Sequence, residues 1–184
     1  MDQSDLDLIR KAQAGSLAAW DTLVRRYEGQ VYNFSLRFVG NADDAQDLMQ
    51  EVFLGLYRNL EEFRGQAQLS TWLFRVAHNK AIDLARRRSV RPVLNAQADY
   101  DELQELRSEQ PAPDEQLEAI QGNERVLMLL SQLPPAQRMV IELKIYQELT
   151  FDEIADLSGI SANTAKTRFY TALKKIRELM EART

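Results

Sequence analysis

The sequence predicts an all-α protein: two small helical domains joined by a flexible acidic linker, the C-terminal one containing a helix-turn-helix. Three observations carry that expectation. Apolar residues recur at helical spacing over most of the chain, while Val, Ile and Thr do not gather in alternating runs. Between residues 89 and 116 the periodicity lapses into Pro92, Pro111, Pro113 and a run of acids. Nearer the C-terminus, Thr150, Glu153, Gly159 and Ser161 mark a capping box, a tight turn and a second cap. A structureless stretch as long as the middle one is unusual inside one compact domain. The expected division is therefore 1–90, a linker over 91–113, and 114–184.

The elements follow in order. A helical pattern runs from about Asp5 to Tyr27 through Leu6, Ile9, Leu17, Trp20, Leu23 and Val24, and Gly15-Ser16 divides it, with Ser16 as a cap. A further helix is expected from Val31 to Val39, stopped by Gly40-Asn41. Asp43 is the expected cap of the next helix, whose stripe is Ala45, Leu48, Met49, Val52, Phe53, Leu56, Tyr57 and Leu60. A loop over 61–68 leads to a helix capped by Ser70 or Thr71, running to about Arg88 and cored by Leu73, Val76, Ala77, Leu84 and the stem of Lys80. The linker has room for a short helix near residues 100–106.

In the second domain Leu117, Ile120, Val126, Leu127, Leu130 and Leu133 suit a helix, weakened at Gly122 and ended by Pro134-Pro135. Met139, Val140, Leu143 and Ile145 continue the next one to about Gln147. Thr150 caps the helix of Phe151, Ile154, Ala155 and Leu157. After Gly159, Ser161 caps a last helix to about Ala182, with Ala165, Phe169, Leu173, Ile176 and Met180 inward.

Composition narrows the function. The chain has no cysteine, which excludes disulfides and thiolate chemistry, and its one histidine, His78, suits a structural role better than a metal site. No Gly-rich phosphate loop, metal cluster or nucleophile–base pair appears, so neither an enzyme nor a cofactor is expected. The chain has no membrane-length apolar run and no signal-peptide pattern, which points to the cytoplasm and to no membrane insertion of its own. The net charge of −5 argues against nucleic acid only as a sum. Arg75, Lys80, Arg86, Arg87, Arg88 and Arg91 face Asp83 alone, and after Ser161 the basic residues again outnumber the acids. Between Asp99 and Glu118 the sign reverses.

Three surfaces stand out. The last helix opens with Ser161, Asn163, Thr164 and Thr167, short hydrogen-bonders suited to base edges in a major groove. Lys166, Arg168, Tyr170, Thr171, Lys174 and Lys175 follow, with the lysines suited to phosphates. On the helix from Thr71, the residues Trp72, Arg75, Asn79, Asp83 and Arg86 share one stripe that ends in Arg87 and Arg88. An aromatic beside cations suits unstacked bases, and Phe63, Arg64, Gln66, Gln68 and Ser70 before it suit a pocket for a flipped base. The bland alternative places Trp72 in the core and leaves the arginines as a solvated helix end. The helix from Asp43 presents Asp44, Asp47, Gln50, Glu51, Leu54 and Arg58 on its outer edge. Such an edge repels phosphate and suits a protein partner, with Leu54 as an apolar spot rimmed by charge, or is simply a solvated face.

Several motifs in order resemble one family. They are Asp44-Ala-Gln-Asp-Leu-Met-Gln-Glu-Val-Phe-Leu-Gly-Leu-Tyr-Arg, then Phe63-Arg-Gly with Ser70-Thr-Trp-Leu-Phe-Arg-Val-Ala-His-Asn-Lys-Ala-Ile-Asp-Leu, then Leu133-Pro-Pro-Ala-Gln-Arg, Leu149-Thr-Phe-Asp-Glu-Ile-Ala and Asn163-Thr-Ala-Lys-Thr-Arg. Over nearly its whole length the chain resembles a bacterial RNA polymerase sigma factor of the extracytoplasmic-function type. The resemblance implies that Asp44, Asp47, Leu48, Gln50, Glu51, Leu54 and Arg58 dock on the β′ coiled coil of core RNA polymerase. It assigns Phe63 to Arg88 to recognition and melting of the promoter −10 element, Thr71 and Lys80 included. It assigns the helix-turn-helix to the −35 element, other surfaces of that domain to the β flap, and control to an anti-sigma factor. Asn163, Ala165 and Thr171 depart from the glycine, valine and arginine common in the family, which leaves the −35 preference open. Two other classes compete: a dimeric helix-turn-helix regulator, which gives the acidic-edged helix no work, and a polymerase-binding decoy or adapter that ignores promoters.

Overall fold

The computed structural model describes residues 4–63, 69–90 and 124–182, with side chains through Arg88 in the middle stretch. All regular structure among these residues is helical. The N-terminal half comprises α1 (Asp5–Gln13), α2 (Leu17–Val39), α3 (Ala42–Arg58), a 3-10 turn (Leu60–Glu62) and α4 (Leu69–Val90). The C-terminal half comprises α5 (124–131), α6 (Pro135–Ile141) running into a π turn (Glu142–Tyr146), α7 (Phe151–Ser158) and α8 (Ala162–Glu181). The expected linker, its short helix and the start of the helix before Pro134 lie outside the described residues.

Local chemistry explains most boundaries. The Ser16 hydroxyl accepts the Ala19 N–H at 3.3 Å and starts α2. Gly40 ends α2 with φ 92°, a conformation that a side chain would oppose. Three expectations change. First, α2 is continuous through Gly29 rather than two helices, because the polar run Glu28-Gly29-Gln30 sits on its exposed side while Tyr27, Val31 and Phe34 keep the inner stripe. Second, Asn41 rather than Asp43 caps α3, its Oδ1 accepting the Asp44 N–H at 2.9 Å, and Asp43 and Asp44 fill the favourable first turn. Third, α4 already begins at Leu69, so Ser70 and Thr71 lie in its first turn.

The π turn changes a fourth. The Gln147 N–H reaches the Glu142 carbonyl at 3.2 Å, five residues back, and the extra residue per turn shifts the helical register. Leu143 is buried as expected, but Ile145 turns outward and is 48% exposed. On α8, Ala165 and Ala172 are fully buried, Phe169, Leu173 and Ile176 half-buried, and Met180 exposed.

Three apolar clusters hold the helices. Leu8, Ile9 and Ala12 of α1 pack with Ala19 and Leu23 of α2 and with Leu60, Phe63 and Leu69. The largest cluster runs from Phe34 and Phe38 (α2), Val52 (α3) and Phe74, Ala77 and Ala81 (α4) into Met139, Val140 and Leu143, then Ile154 and Ala165. It therefore crosses from one half into the other. Leu130, Leu133, Ile141 and Ala172 form the third cluster, closing the C-terminal half.

Two arginines stitch the seam. Arg37 makes a bidentate pair with Glu142, at 2.6 and 2.7 Å, and lies over the Tyr146 ring at 3.9 Å. Arg138 donates to the Phe38 carbonyl across the seam, and to the Ser131 and Leu133 carbonyls at 2.7 and 3.1 Å at the end of α5.

Gly29 supplies a test of the continuous α2. It is exposed, its φ is not positive, and a Cβ there meets nothing within 4 Å. Gly29→Ala is expected to stabilise the protein by about 0.5–1 kcal/mol. A raised urea midpoint with an unchanged slope is the expected result, and a lowered midpoint contradicts a regular helix there.

Candidate functional site

The outer edge of α3 and the basic side of α4 are neighbours. The two helices run antiparallel: Asp44 at the start of α3 pairs with Arg88 at the end of α4, and Glu51 meets Lys80 at 3.0 Å midway. Gly55 permits this closeness, since a Cβ there would stand 3.1 Å from a Val76 methyl and 3.2 Å from the Lys80 stem. Lys80 and Arg88, expected at DNA, are turned toward α3 in this conformation. Burial pushes the Asp44 carboxyl up, but the Asn41 amide and Arg88 together outweigh it and hold it below the usual range. The Lys80 hydrogen bond and charge hold Glu51 down as well.

Asp47, Gln50, Leu54 and Arg58 are exposed along the edge. Among the described residues Asp47 has no ion-pair partner. Leu54 and Tyr57 are each 48% exposed and form an apolar spot beside it. Leu48 is buried and serves the core beneath the edge. A shallow cleft between the two helices is floored by Leu48 and Leu84 and rimmed by Asp44, Asp47, Glu51, Asp83, Lys80 and Arg87.

On α4, Arg75, Asn79, Asp83, Arg86, Arg87 and Arg88 are exposed, and Arg86 lies 3.7 Å from Asp83. Ser70, Thr71 and Trp72 are half-buried. Trp72 packs its ring 5.1 Å from Phe63 at 52°. Phe63 is only 8% exposed and belongs to the core with α1, so it offers no free face for a base. Trp72 is thus half-buried, with one side on that core. Arg64, Gln66 and Gln68 lie outside the described residues. His78 is half-buried with Nδ1 at 3.2 Å from the Asn79 side-chain oxygen, and burial lowers its pKa.

The C-terminal pair α7–α8 has the form expected. The Thr150 hydroxyl accepts the Glu153 N–H at 3.2 Å while Glu153 accepts the Thr150 N–H at 2.7 Å. Gly159 turns the chain at φ 66°, and Ala155, Ile154 and Ala165 fill the junction behind it. The Ser161 hydroxyl accepts the Thr164 N–H at 3.0 Å. Thr167 donates its hydroxyl to the Asn163 carbonyl at 2.9 Å, so these hydroxyls first serve the helix itself. Asn163, Lys166, Thr167, Tyr170, Thr171 and Lys174 are exposed, and Thr164, Arg168 and Lys175 are half-buried. Tyr170 is 62% exposed beside Phe151. Among the described residues no group of His, Cys, Asp or Glu is arranged to hold a metal ion, and no helix is long and apolar enough to cross a membrane.

Comparison with known proteins shows the family. The Sigma-70 region 2 profile matches residues 23–91, and the Sigma-70 region 4 profile matches residues 123–176. The chain belongs to the sigma-70 family, in its extracytoplasmic-function group. RNA polymerase sigma-H factor of Pseudomonas aeruginosa is 28% identical to it over 183 residues, 97% of this chain and 95% of that protein. ECF RNA polymerase sigma factor SigW of Bacillus subtilis is 29% identical over 174 residues, 92% of this chain and 93% of that one. Among solved structures, CnrH in complex with the cytosolic domain of CnrY shares the fold of this sigma factor with a TM-score of 0.68, at 24% identity over 99% of this chain and 100% of that chain. RpoE of Bartonella quintana, solved with the anti-sigma factor NepR, does so with a TM-score of 0.63, at 18% identity over 88% of this chain and 96% of that one.

Glu153 makes the helix-turn-helix acid-sensitive. The Thr150 backbone N–H, then its hydroxyl, hold the folded carboxyl below the ordinary 4.5. A lowered carboxyl contributes stability above its unfolded value and loses it as pH falls through the folded one. Glu153→Gln is expected to be less stable than the parent near neutral pH, with the difference shrinking below about pH 4.5. Urea unfolding across that range checks it, and a constant difference contradicts the cap's charge dependence.

Proposed function

We propose that this sigma factor binds core RNA polymerase through the exposed edge of α3, directs it to promoters and helps open the −10 region. In this reading residues 1–90 dock on the β′ coiled coil and handle the −10 element, 91–113 connect, and 114–184 take the −35 element and the β flap. Asp47 and Leu54, with Gln50, Glu51 and Arg58, form the docking face. Trp72 and the cations of α4 meet the −10 strands. Asn163, Lys166, Tyr170, Lys174 and their neighbours on α8 meet the −35 duplex.

One observation carries the reading: a single chain pairs an exposed acid-rimmed apolar edge with a capped helix-turn-helix whose basic face is open. The first suits a protein groove and repels phosphate. The second suits a DNA groove. Opening a duplex needs no catalytic residue here. A surface that binds unstacked bases better than paired ones shifts the equilibrium by its differential affinity. Catalysis stays with the polymerase, and the site of action is the cytoplasm. An anti-sigma factor completes the reading as the inhibitor, and the Bartonella quintana protein is itself in complex with the anti-sigma factor NepR.

Asp47→Lys and Leu54→Asp change exposed residues, so their folding stability should match the parent within about 0.5 kcal/mol. Each is expected to weaken core-polymerase binding by about tenfold or more, about 1.4 kcal/mol. Titration of labelled core enzyme checks this. Unchanged affinity in both variants defeats the docking assignment.

A further inference from the structure

The last residue of α1, Gln13, makes contacts that the functional reading has not used. Its side-chain amide donates to two carbonyls at once, Leu60 O at 2.9 Å and Phe63 O at 3.2 Å. Both atoms are acceptors, so the NH2 end of the amide must face them, and its two hydrogens are fully spent. The two carbonyls bracket the 3-10 turn that leads to Phe63, whose ring meets Trp72 at 5.1 Å.

The rest of α1 makes this grip rigid. Leu8, Ile9 and Ala12 pack beneath Leu60, Phe63 and Leu69, and Trp72 rests partly buried on the same cluster. At the other end of α1, Asp5 accepts from the Tyr27 hydroxyl and pairs with Arg26 at 2.6 Å, fastening the helix to α2. The helix therefore forms a platform with fixed ends, and the aromatic corner stands on it. This platform lies outside the Sigma-70 region 2 match, which starts at residue 23.

We propose that Gln13 is a positioning residue for promoter opening, holding the Phe63–Trp72 corner in the geometry that receives the unstacked −10 strand. The proposal rests on the reading that Trp72 faces that strand. Gln13 is itself exposed, and the Leu60 carbonyl keeps a second donor, the Phe63 N–H at 3.2 Å, when the amide is removed. Its loss therefore costs little folding stability. It frees the turn before Phe63 to shift, and a displaced aromatic cannot stack on a base with full effect.

The test uses full-length protein with core polymerase on a promoter it transcribes. Gln13→Met keeps the length and shape of the side chain without its donors. Permanganate reactivity of promoter thymines reads opening, while filter binding to core and to closed duplex reads the earlier steps. Gln13→Met is expected to lower opening about tenfold, the size of one or two neutral hydrogen bonds, and to leave core and duplex binding unchanged. Trp72→Ala is expected to lower opening as well. The double variant Gln13→Met/Trp72→Ala should be no worse than Trp72→Ala alone, because Gln13 acts through that ring. Additive losses overturn the proposal and leave Gln13 a general tether. Normal opening by Gln13→Met with impaired opening by Trp72→Ala overturns it while the functional reading stands. Normal opening by Trp72→Ala removes both.

Discussion

A carboxylate with 1% of its surface exposed sits in the seam between the two halves of this molecule. Glu142 stays there because Arg37 meets it with two parallel hydrogen bonds and Gln147 adds a third at 3.0 Å. Burial still dominates and pushes the carboxyl above its usual range against those partners. The folded state thus favours its proton, and its contribution to stability declines as pH rises through the folded value. Such a pair adds little net stability, yet removing one partner costs about 3–5 kcal/mol because a bare charge remains. The seam is consequently selective about geometry. Met139, Val140 and Leu143 supply apolar contact with Phe34, Phe38 and Phe74, and the Arg37–Glu142 fork fixes where along α2 that contact occurs. It sets the C-terminal half, and with it the front of α8, against α2 and α4, while the edge of α3 is placed by its own packing on those two helices.

The surfaces carry charge that is easily rearranged. Asp44–Arg88 and Glu51–Lys80 are partly exposed pairs between adjacent helices, worth about 1 kcal/mol each and weakened by salt. They neutralise part of an acidic edge and part of a basic stripe without fixing either. A partner that competes for one member of a pair meets little resistance. Among the described residues, Asp47, Leu54 and Tyr57 on one side, and Lys166, Tyr170 and Lys174 on the other, meet no such neutralisation by a neighbouring helix.

The helix-turn-helix was legible because its determinants are local. Thr150 with Glu153, Gly159 and Ser161 act within four residues of themselves, and each forms the contact its residue type suggests. The stops at Gly15 and Gly40 are of the same kind. Motif order likewise pointed to the sigma-70 family. What escaped depends on distant partners. The polar run Glu28-Gly29-Gln30 interrupts the apolar periodicity, so the pattern reads as an end at Tyr27 and a restart at Val31, whereas α2 runs straight through. The π turn at Glu142–Tyr146 rotates Ile145 outward, and no local pattern signals it. Phe63 is core because α1 lies beneath it, and Lys80 and Arg88 face α3 because Gly55 lets that helix approach. Arg37–Glu142 spans 105 residues and Gln13–Phe63 spans 50, separations at which no spacing rule operates.

The central claim is that this chain gives core polymerase a promoter preference. Run-off transcription with core bacterial RNA polymerase, with and without the protein, on fragments of its own genome tests it most directly. The account predicts discrete new start sites that appear only with the protein and share a −10 and a −35 motif. Core binding without start sites, or symmetric protection of duplex DNA by the protein alone, contradicts it.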